Sequence, residues 1–583
     1  MDKLVKNIIT FSLRHKLFTF FMTGALAVIG IFCFIRTPIV AFPDFTNTQI
    51  RIITRWPGRS AQEIERFVTI PVEIAMNSVQ RKINLRSQSM FGLSVVTLVF
   101  EDDVDDSYAR QQITALLPNI QFPEGADEEL TPPTGPTDEI FRYTLHSSAK
   151  TPAELRTIQD WVIDRNLRTV PGVADVVAFG GPVKTYEVSV NPNLLAQYDL
   201  TALDVYDAIS KSNVNVGGDV IEKSSQAFVV RGVGLLSSID DIRSVIIKDI
   251  NGTPILVKNV AEVYESANPR LGIVARGHEP DVVEGIVLMR KGIDPGPVLK
   301  ALEKEVKELD EKILPSDVNM LTVYDRQNLI NFCLHTVFHN VLEGIFLVTL
   351  IVFLFMRDWR ATLIVSLIIP LSLLFAFIML YAKGMFANLI SIGAIDFGIL
   401  IDGAVVMVEG VFVALGYYAA EIGMEKFNKV AKLGIIRRTG VDMGKAIFFS
   451  KLIIITALIP IFSFEKVEGK LFSPLAYTLG FALLGALFFT LTFVPAFSHR
   501  LMRKNVREKH NFLVAGMIKY YEKTFNWVMK NKRLSLGIAI ALVAVTFFSA
   551  KFLGTEFIPH LDEGALWAEV DAPMSVSLSQ AKV

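Results

Sequence analysis

The chain has 583 residues, 51% of them hydrophobic, and its mean hydropathy is +0.41. A chain of this length and apolarity does not fit one soluble domain, so we expect part of it to span a membrane. The net charge of −1 gives no overall basic field for nucleic acid. Cys33 and Cys333 lie far apart and have no CxxC or Cys/His spacing, so the sequence indicates neither a zinc module nor a disulfide framework.

Seven apolar windows are long enough to cross a bilayer, which takes about 20 residues of helix. One alternative for the first window is a secretory signal peptide, but its apolar run is long and no small-residue cleavage site follows it. We therefore interpret it as an uncleaved membrane anchor. The predicted spans are residues 17–35, 340–356, 361–382, 388–416, 446–464, 475–497 and 534–553.

Lysine and arginine residues mark alternate ends of these spans. They cluster before the first span, between the second and third, between the fourth and fifth, and after the sixth. If successive spans alternate in direction, all four clusters face one side, which the positive-inside rule makes cytoplasmic. The predicted domains are residues 1–36 with a cytoplasmic N-terminus and the first span, 37–330 as a large region outside the membrane, 331–500 with spans two to six, 501–533 as a basic cytoplasmic connector, 534–554 with the seventh span, and 555–583 as the start of a second outer region.

The region outside the membrane alternates between strand-like and helix-like patterns, which predicts α+β units. In its first unit Ser60 is placed to cap a helix, and the proline- and glycine-rich residues 131–136 mark the boundary to the second unit. The predicted strands are 49–56, 94–100, 141–146, 173–179, 185–190, 226–232, 282–289 and 320–324, and the predicted helices are 61–77, 105–117, 152–169 and 295–314.

A short internal repeat supports a duplicated architecture. The residues after the first span align with those after the seventh span, and two prolines match without a gap, as the pairs Pro43 with Pro559 and Pro57 with Pro573. The match is short enough for chance to be the alternative. The chain also has the order of one span, then an outer region, then a cluster of spans. This order and the repeat together predict the first half of a duplicated transporter and the start of its second half.

Three carboxylic acids lie inside the fourth predicted span. Asp396, Asp402 and Glu409 each cost about 2.5–3.5 kcal/mol near the centre of a membrane helix, so we expect them to have a function. On an ideal helix Asp402 and Glu409 share a face two turns apart, and Asp396 lies about 120° around the helix from Asp402. This arrangement favours a proton relay over a metal cage, whose ligands are spaced three or four residues apart.

Two other roles for these acids stay open. One is to pass metal ions along the helix. The other is structural, as silent ion pairs with Lys or Arg inside the bundle, but we find no obvious basic partner in the predicted spans. Burial in an apolar medium favours the protonated form of a carboxyl group, so buried acids exchange protons near neutral pH.

Weaker candidates for binding metal lie near the second and fourth spans. His335 and His339 are four residues apart on the helix that enters the second span, a spacing that can bind zinc, and Glu343 follows one turn later. The alternative is a polar pair at the membrane interface. Met385 and Met407 offer soft ligands for monovalent copper or silver, although such methionines more often serve packing.

The sequence contains no nucleophile motif, no P-loop and no cofactor fingerprint. We therefore expect neither an enzyme nor a bound cofactor. Without an ATP site, the energy for transport has to come from an ion gradient. One charge that moves across about 100 mV releases roughly 2.3 kcal/mol, which is adequate for this purpose.

Six segments of the chain have distinctive sequences. They are WPGRSAQEIERFVTIPVE (56–73), RSQSMFGLSVVTLVFED (86–102), ELRTIQDWVIDRNLRTVPGVADVVAFGG (154–181), SNVNVGGDVIE (212–222), YDRQNLI (324–330) and DFGILIDGAVVMVE (396–409). These segments resemble the resistance-nodulation-division efflux pumps, in particular their heavy-metal efflux branch. The last segment is the most specific, because this form of the helix is typical of the family's pumps for divalent ions such as zinc, cobalt, cadmium or nickel. The copper and silver pumps usually lack the earlier Asp.

The resemblance implies both a fold and a function. The implied fold is an α-helical integral membrane bundle with a large α+β periplasmic region of ferredoxin-like βαβ units, as the first half of a duplicated transporter. The implied function is proton-driven efflux of heavy-metal cations through the inner membrane, with Asp402 as the principal proton carrier and Asp396 and Glu409 assisting it. The implied partners are metal cations, protons, membrane lipid, a periplasmic adaptor, an outer-membrane channel and further copies of the chain in a homotrimer.

The sequence departs from the family pattern in three places. Residues 135–139 read GPTDE where the family has a Gly-Leu-Gly-Glu element, and Gly410 follows Glu409 where Asn is usual. The family's second half, with the partner helix of the fourth span and most of the outer substrate cleft, is not in this sequence. Two alternatives stay open: efflux of organic or amphiphilic compounds, and a half-pump that acts as an assembly or regulatory subunit without transporting.

Overall fold

A computed structural model describes residues 2–40, 45–135, 138–250, 252–270, 272–393, 395, 397–422, 429–502, 512–554, 568–570 and 576–581. The chain forms two compact units. Unit one comprises Met1–Asp138, Lys291–Pro297 and Arg326–Ala568, and unit two comprises Glu139–Arg290, Val298–Asp325 and Glu569–Val583.

Unit one contains, among the described residues, seven helices that are long and apolar enough to cross a membrane. They coincide with the seven predicted windows. Most of them extend beyond those windows because polar turns at the helix ends lower the local hydropathy, and the second helix begins at Arg326 and not at residue 340. The spans are Lys16–Arg36, Arg326–Met356, Trp359–Ala382, Ile390–Glu421, Ala431–Ser463, Lys466–Leu501 and Lys532–Ala550.

Several spans contain more than one helical piece. The third comprises Trp359–Ser366 and Ile368–Ala382, and the fourth comprises Leu389–Gly393 and Phe397–Ile422. The fifth continues from Lys429–Ala457 into a 3-10 turn. That turn is Ile459–Ser463, and the helices outside the spans and sheets are Asp2–Arg14, Phe512–Lys530 and Leu578–Ala581.

Small residues bring the spans of unit one close together, as is usual where helices pack within a membrane. A Cβ atom at Gly30 of the first span would lie 3.1 Å from the carbonyl oxygen of Leu374, and one at Gly485 of the sixth span would lie 2.8 Å from Cβ of Phe375. The core between the helices is apolar. Its fully buried side chains include Ile364, Ile368, Leu400, Val408 and Val494.

A short parallel pairing joins the residues after the first span to the segment before the fourth. Ile39 pairs with Ala387, and Val40 pairs with Asn388. The Asn388 side chain then accepts a hydrogen bond of 2.7 Å from the backbone N–H of Ser391, at the start of the fourth span. This contact fixes where the acidic span enters the bundle.

The first outer sheet belongs to unit one and has four antiparallel strands. Their spatial order corresponds to 2-3-1-4 in sequence, and helices follow the first and third strands, which is the predicted ferredoxin-like arrangement. Ser60 caps the first helix in a capping box with Glu63, as its position predicts. In spatial order the strands are Lys82–Met90, Leu93–Phe100, Gln49–Arg55 and Asp127–Leu130, and the helical pieces are Ala61–Ile64, Glu65–Thr69, Ile70–Met76, Asp106–Leu116 and Leu117–Asn119.

Unit two repeats this topology. Its antiparallel sheet has the spatial order Val318–Asp325, Glu139–Ser147, Val283–Met289 and Val173–Phe179, which corresponds to 4-1-3-2 in sequence. The helical pieces beside it are Pro152–Ile158, Gln159–Ile163, Asp164–Leu167, Pro295–Glu308 and Leu309–Ile313.

A β-rich insertion lies between the second and third strands of this sheet. It contains three antiparallel strand pairs, two of which contribute side chains to an apolar core of the insertion. The pairs are Lys184–Val190 with Ala261–Ala267, Val216–Lys223 with Gln226–Gly232, and Ile246–Ile250 with Thr253–Leu256, and the helical pieces are Pro192–Gln197, Ala202–Ser212, Ile239–Arg243 and Val257–Asn259.

A buried tyrosine organises the core of the second sheet. Tyr143 is fully buried and donates a hydrogen bond of 2.9 Å to the side-chain oxygen of Gln159. Burial in apolar surroundings raises the pKa of the Tyr143 hydroxyl above its ordinary value, so it stays a donor. Its ring occupies the space in which a side chain at Gly285 of the neighbouring strand would lie.

We expect Gly285→Ala to destabilise unit two by about 1–3 kcal/mol, because the new methyl group overlaps with the Tyr143 ring. Amide hydrogen exchange in the purified protein should become faster across Glu139–Ser147 and Val283–Met289. Gly217→Ala is the matched control, since nothing lies within 4 Å of a Cβ there. Equal exchange in the two variants contradicts the assigned packing.

Candidate functional site

Two carboxylates of the fourth span, those of Asp402 and Glu409, lie on one face of its helix, as their spacing in the sequence predicts. Asp402 and Glu409 are both exposed on Phe397–Ile422, in a stripe with Val406, which is 44% exposed. Asp396 lies outside the described residues. The opposite face is buried in the bundle through Leu400, Ala404, Met407, Val408 and Val411.

Two glycines of this helix allow the fifth span to pack closely against it. A Cβ atom at Gly403 would lie 2.8 Å from Cγ2 of Ile447, and one at Gly410 would lie 3.1 Å from Cγ of Met443. The second contact lies at the position where the family usually has asparagine. An asparagine there would need Met443 to move.

The two methionine candidates lie in packed surroundings. Met407 is fully buried in the apolar core, and its sulfur lies 3.8 Å from where a Cβ of Gly440 would be. Met385 packs against the same core. These positions favour the packing role over a role as soft metal ligands.

Neither exposed carboxylate of the fourth span is neutralised by a neighbouring cation. Within the described ranges, no nitrogen of Lys, Arg or His lies within 4.0 Å of a carboxylate oxygen of Asp402 or Glu409. Silent ion pairing, the structural alternative for these acids, therefore has no support at these two positions. Both side chains are open to exchange protons or ions.

A basic residue does lie inside the bundle, on the fifth span, although among the described residues it forms no ion pair with Asp402 or Glu409. Lys451 of the fifth span is only 2% exposed, and its ammonium group donates a hydrogen bond to the carbonyl oxygen of Ile399 in the fourth span. The signal is present in the sequence as a single lysine in the run FFSKLIII at 448–455. Because a hydropathy window averages over many residues, a single lysine does not stand out in it.

The histidine pair lies on the exposed surface of the second span. The ring centroids of His335 and His339 are 6.3 Å apart, and Nδ1 of His339 lies 3.6 Å from Oε2 of Glu343. The side chains of His339 and Glu343 are 67% and 57% exposed. No group of three or more metal ligands is assembled among the residues searched, which are those the structure describes. The spacing still allows the two rings to bind one ion.

Lys470 connects the sixth span to the first outer sheet. The ammonium group of Lys470 lies 3.0 Å from a carboxylate oxygen of Asp102, just after the strand Leu93–Phe100. It also donates to the backbone carbonyl of Thr46 and to the side-chain oxygen of Asn47, each at 3.1 Å. The sixth span packs against the acidic fourth span, so this contact connects the site to the region outside the membrane.

Comparison with known proteins gives consistent matches. The cobalt-zinc-cadmium resistance protein CzcA of Cupriavidus metallidurans is 36% identical over 99% of this chain, and the cation efflux system protein CusA of Escherichia coli K12 is 33% identical over 93%. A crystal structure of a heavy metal efflux pump superposes with a TM-score of 0.85 at 32% identity and covers 99% of this chain.

These matches involve only part of each relative. The chain spans about half the length of the proteins that it matches: 55% of CzcA, 52% of CusA and 55% of the crystallised pump. A sequence model of the AcrB/AcrD/AcrF family matches residues 8–583, which is nearly the whole chain. The multi-span bundle, the ferredoxin-like sheets and this match together establish that the chain belongs to the AcrB/AcrD/AcrF family of resistance-nodulation-division transporters.

Proposed function

We propose that this chain serves in proton-driven export of heavy-metal cations, with divalent ions such as zinc, cobalt, cadmium or nickel as substrates. The observation that carries the proposal is the stripe of Asp402 and Glu409 on an otherwise apolar membrane helix. Support for the substrate class comes from relatives that are named as cation efflux and metal resistance proteins. The DFG sequence at 396–398 supports the divalent class.

The fourth span supplies the coupling in this mechanism. Asp402 takes up a proton from the outer side and releases it to the cytoplasm, and Glu409 and Asp396 assist the transfer. The two protonation states of Asp402 favour two packings of the bundle, because a neutral acid tolerates apolar contact and a carboxylate does not. The sixth span transmits this change in packing to the first outer sheet through the contact between Lys470 and Asp102.

The proposed assembly follows the family architecture. The chain provides the first half of a duplicated inner-membrane permease, its N-terminus is cytoplasmic, and residues 37–330 form the periplasmic porter and docking region. A helix of the second half covers the open stripe of Asp402 and Glu409. The permease is a homotrimer that works with a periplasmic adaptor and an outer-membrane channel.

We expect Asp402→Asn, introduced at the chromosomal locus, to lower zinc and cobalt resistance to the level of a deletion strain. The amide has nearly the same shape as the protonated acid but cannot release a proton, so one packing of the bundle is no longer reached. Growth at increasing metal concentration measures the effect. Membrane abundance, measured by immunoblot, should stay at the wild-type level.

The matched control for this variant is Glu421→Gln, which removes an exposed carboxylate at the far end of the same helix. Its resistance should equal that of the wild type. Wild-type metal resistance in Asp402→Asn contradicts the proposal that Asp402 carries the proton.

A deletion strain distinguishes the proposed substrate from the two alternatives. Sensitivity to divalent metals supports the proposal, whereas sensitivity to dyes or detergents alone indicates efflux of organic compounds. A deletion that removes resistance only through loss of another transporter from the membrane indicates an assembly subunit.

We further propose that His335 and His339 bind a divalent cation at the surface of the second span, with Glu343 as an additional ligand. The double variant His335→Ala/His339→Ala should lose one class of zinc sites in calorimetric titration of the purified protein, because two of the three donors are gone. His278→Ala, at an exposed histidine of unit two, is the control. An unchanged zinc stoichiometry in the double variant contradicts the proposed metal site and favours a polar pair at the membrane interface.

A further inference from the structure

A hollow between the N-terminal helix and the fifth span is lined mainly by basic side chains. Its volume is about 560 Å³, and five of the eight described residues that line it are lysine or arginine. These five are Lys3 and Lys6 of the N-terminal helix and Arg437, Arg438 and Lys445 of the fifth span. The other three are Gly434, Val441 and Asp442. We call this site the basic hollow.

Close packing of the two helices forms the base of the hollow. A Cβ atom at Gly444 of the fifth span would lie 2.9 Å from Cδ1 of Ile9 and 3.1 Å from Cγ1 of Val5. The absence of a side chain at this glycine therefore lets the N-terminal helix approach. Lys6 directly follows Val5 and Lys445 directly follows Gly444, so basic side chains flank the apolar contact on both helices.

The positive charges of the hollow are not balanced by neighbouring acids. Within the described ranges, no carboxylate oxygen lies within 4.0 Å of a side-chain nitrogen of Lys3, Lys6, Arg437 or Arg438. The described lining residues include one acid, Asp442. Like charges that converge on one site repel one another, so an anion bound in the hollow stabilises the arrangement.

The positive-inside rule alone does not account for this convergence. The rule calls for lysine and arginine near the cytoplasmic ends of spans, and exposed residues such as Lys532 and Arg533 at the start of the seventh span satisfy it. The basic hollow differs because it brings side chains from two helices, distant in sequence, around one concave site. Concave sites with a few convergent polar groups are typical of ligand binding.

The face of the fifth span that lines the hollow continues as an apolar stripe. Arg438 and Lys445 lie on this face, and steps of four and three residues from Lys445 lead to exposed apolar side chains. These are Phe449, Leu452 and Ile453, which are 46%, 39% and 69% exposed. One helix face therefore changes from basic to apolar within a single turn.

The N-terminal helix carries a second apolar surface beside the hollow. Leu4 and Phe11 are two turns apart on one face of this helix and are 50% and 52% exposed. The Phe11 ring contacts Phe18 of the first span edge to face, with ring centroids 5.9 Å apart. The apolar surface thus continues from the N-terminal helix to a membrane span.

The hollow lies at the depth of lipid headgroups. The predicted apolar window of the fifth span begins at residue 446, so Lys445 lies at the edge of the hydrocarbon and Arg438 lies about 10 Å beyond it along the helix. The headgroup region extends about 5–8 Å from that edge. Long basic side chains reach back into this region because their apolar stems lie along the protein surface.

We propose that the basic hollow binds the headgroup of an anionic phospholipid from the cytoplasmic leaflet, with the acyl chains against the apolar stripe of the fifth span. The guanidinium groups of Arg437 and Arg438 match the geometry of a phosphate, and Lys3 and Lys6 add positive charge from the N-terminal helix. Asp442 can accept a hydrogen bond from a headgroup hydroxyl, which favours a glycerol headgroup.

The bound lipid links the N-terminal helix to the fifth span and removes the repulsion between their basic side chains. This inference goes beyond the proposed function. It uses the cytoplasmic orientation of the N-terminus proposed above and requires no transport of metal.

The test measures lipid binding to the purified transporter in an uncharged detergent, with native mass spectrometry to count bound lipid during a titration. Phosphatidylglycerol should bind more tightly than phosphatidylcholine with the same acyl chains, since only phosphatidylglycerol has a net negative charge. In Arg437→Gln/Arg438→Gln the affinity for phosphatidylglycerol should fall about tenfold or more, because two basic contacts are lost. Equal affinities of the wild type for the two lipids overturn the inference.

The matched control is Lys532→Gln/Arg533→Gln, which removes the same charge from an exposed site outside the hollow. Its affinity for phosphatidylglycerol should equal that of the wild type. An equal loss of affinity in both double variants shows that the lipid responds to general surface charge, which contradicts a site in the hollow.

Two further measurements on the wild type need no variant. Glycerol phosphate, which has the headgroup but no acyl chains, should leave bound phosphatidylglycerol in place at equal concentration, whereas displacement indicates a soluble phosphate ligand and overturns the lipid assignment. Added salt should weaken binding of phosphatidylglycerol and not of phosphatidylcholine, because it screens the basic side chains. A preference that does not change with salt also contradicts the inference. None of these measurements involves metal, so their outcome is independent of the Asp402→Asn experiment.

Discussion

A charged side chain that leaves water for hydrocarbon loses its hydration, and unit one accommodates such side chains in three ways. Lys432 satisfies the unpaired carbonyls at the end of a helix. Lys451 fits into a notch beside a glycine and donates to a backbone carbonyl. Asp402 and Glu409 are kept on the open face of their helix, away from the apolar core. Lys432 therefore has a structural role, whereas Asp402 and Glu409 are the charged residues that we assign to coupling.

Much of the fold could be predicted because its signals are local. Each apolar window corresponds to a span, and period-2 alternation identified the strand Gln49–Arg55. The strands Lys82–Met90 and Asp127–Leu130 were missed because most of their side chains are polar and exposed, so neither hydropathy nor alternation marks them. Their place in the sheet depends on pairing with neighbours that are distant in sequence.

Only the part of the candidate site that lies on a single helix could be predicted from the sequence. The spacing of Asp402 and Glu409 is enough to place them on one face, because helical periodicity is a local property. The approach of Lys451 depends on the absence of side chains at Gly403 and on the packing of three spans, which no local pattern encodes. Lys470 and Asp102 lie in different regions of the sequence, so only the tertiary structure brings them into contact.

The first outer sheet is attached to the bundle at two points close together in its own sequence. Ile39 and Val40 are paired with the segment that precedes the fourth span, while Thr46 and Asn47 are held by the sixth span. The strand that begins at Gln49 follows directly. The two attachments belong to different parts of the bundle, so a displacement of the segment before the fourth span relative to the sixth span changes the distance between them. Such a displacement therefore acts on the chain where the strand at Gln49 begins.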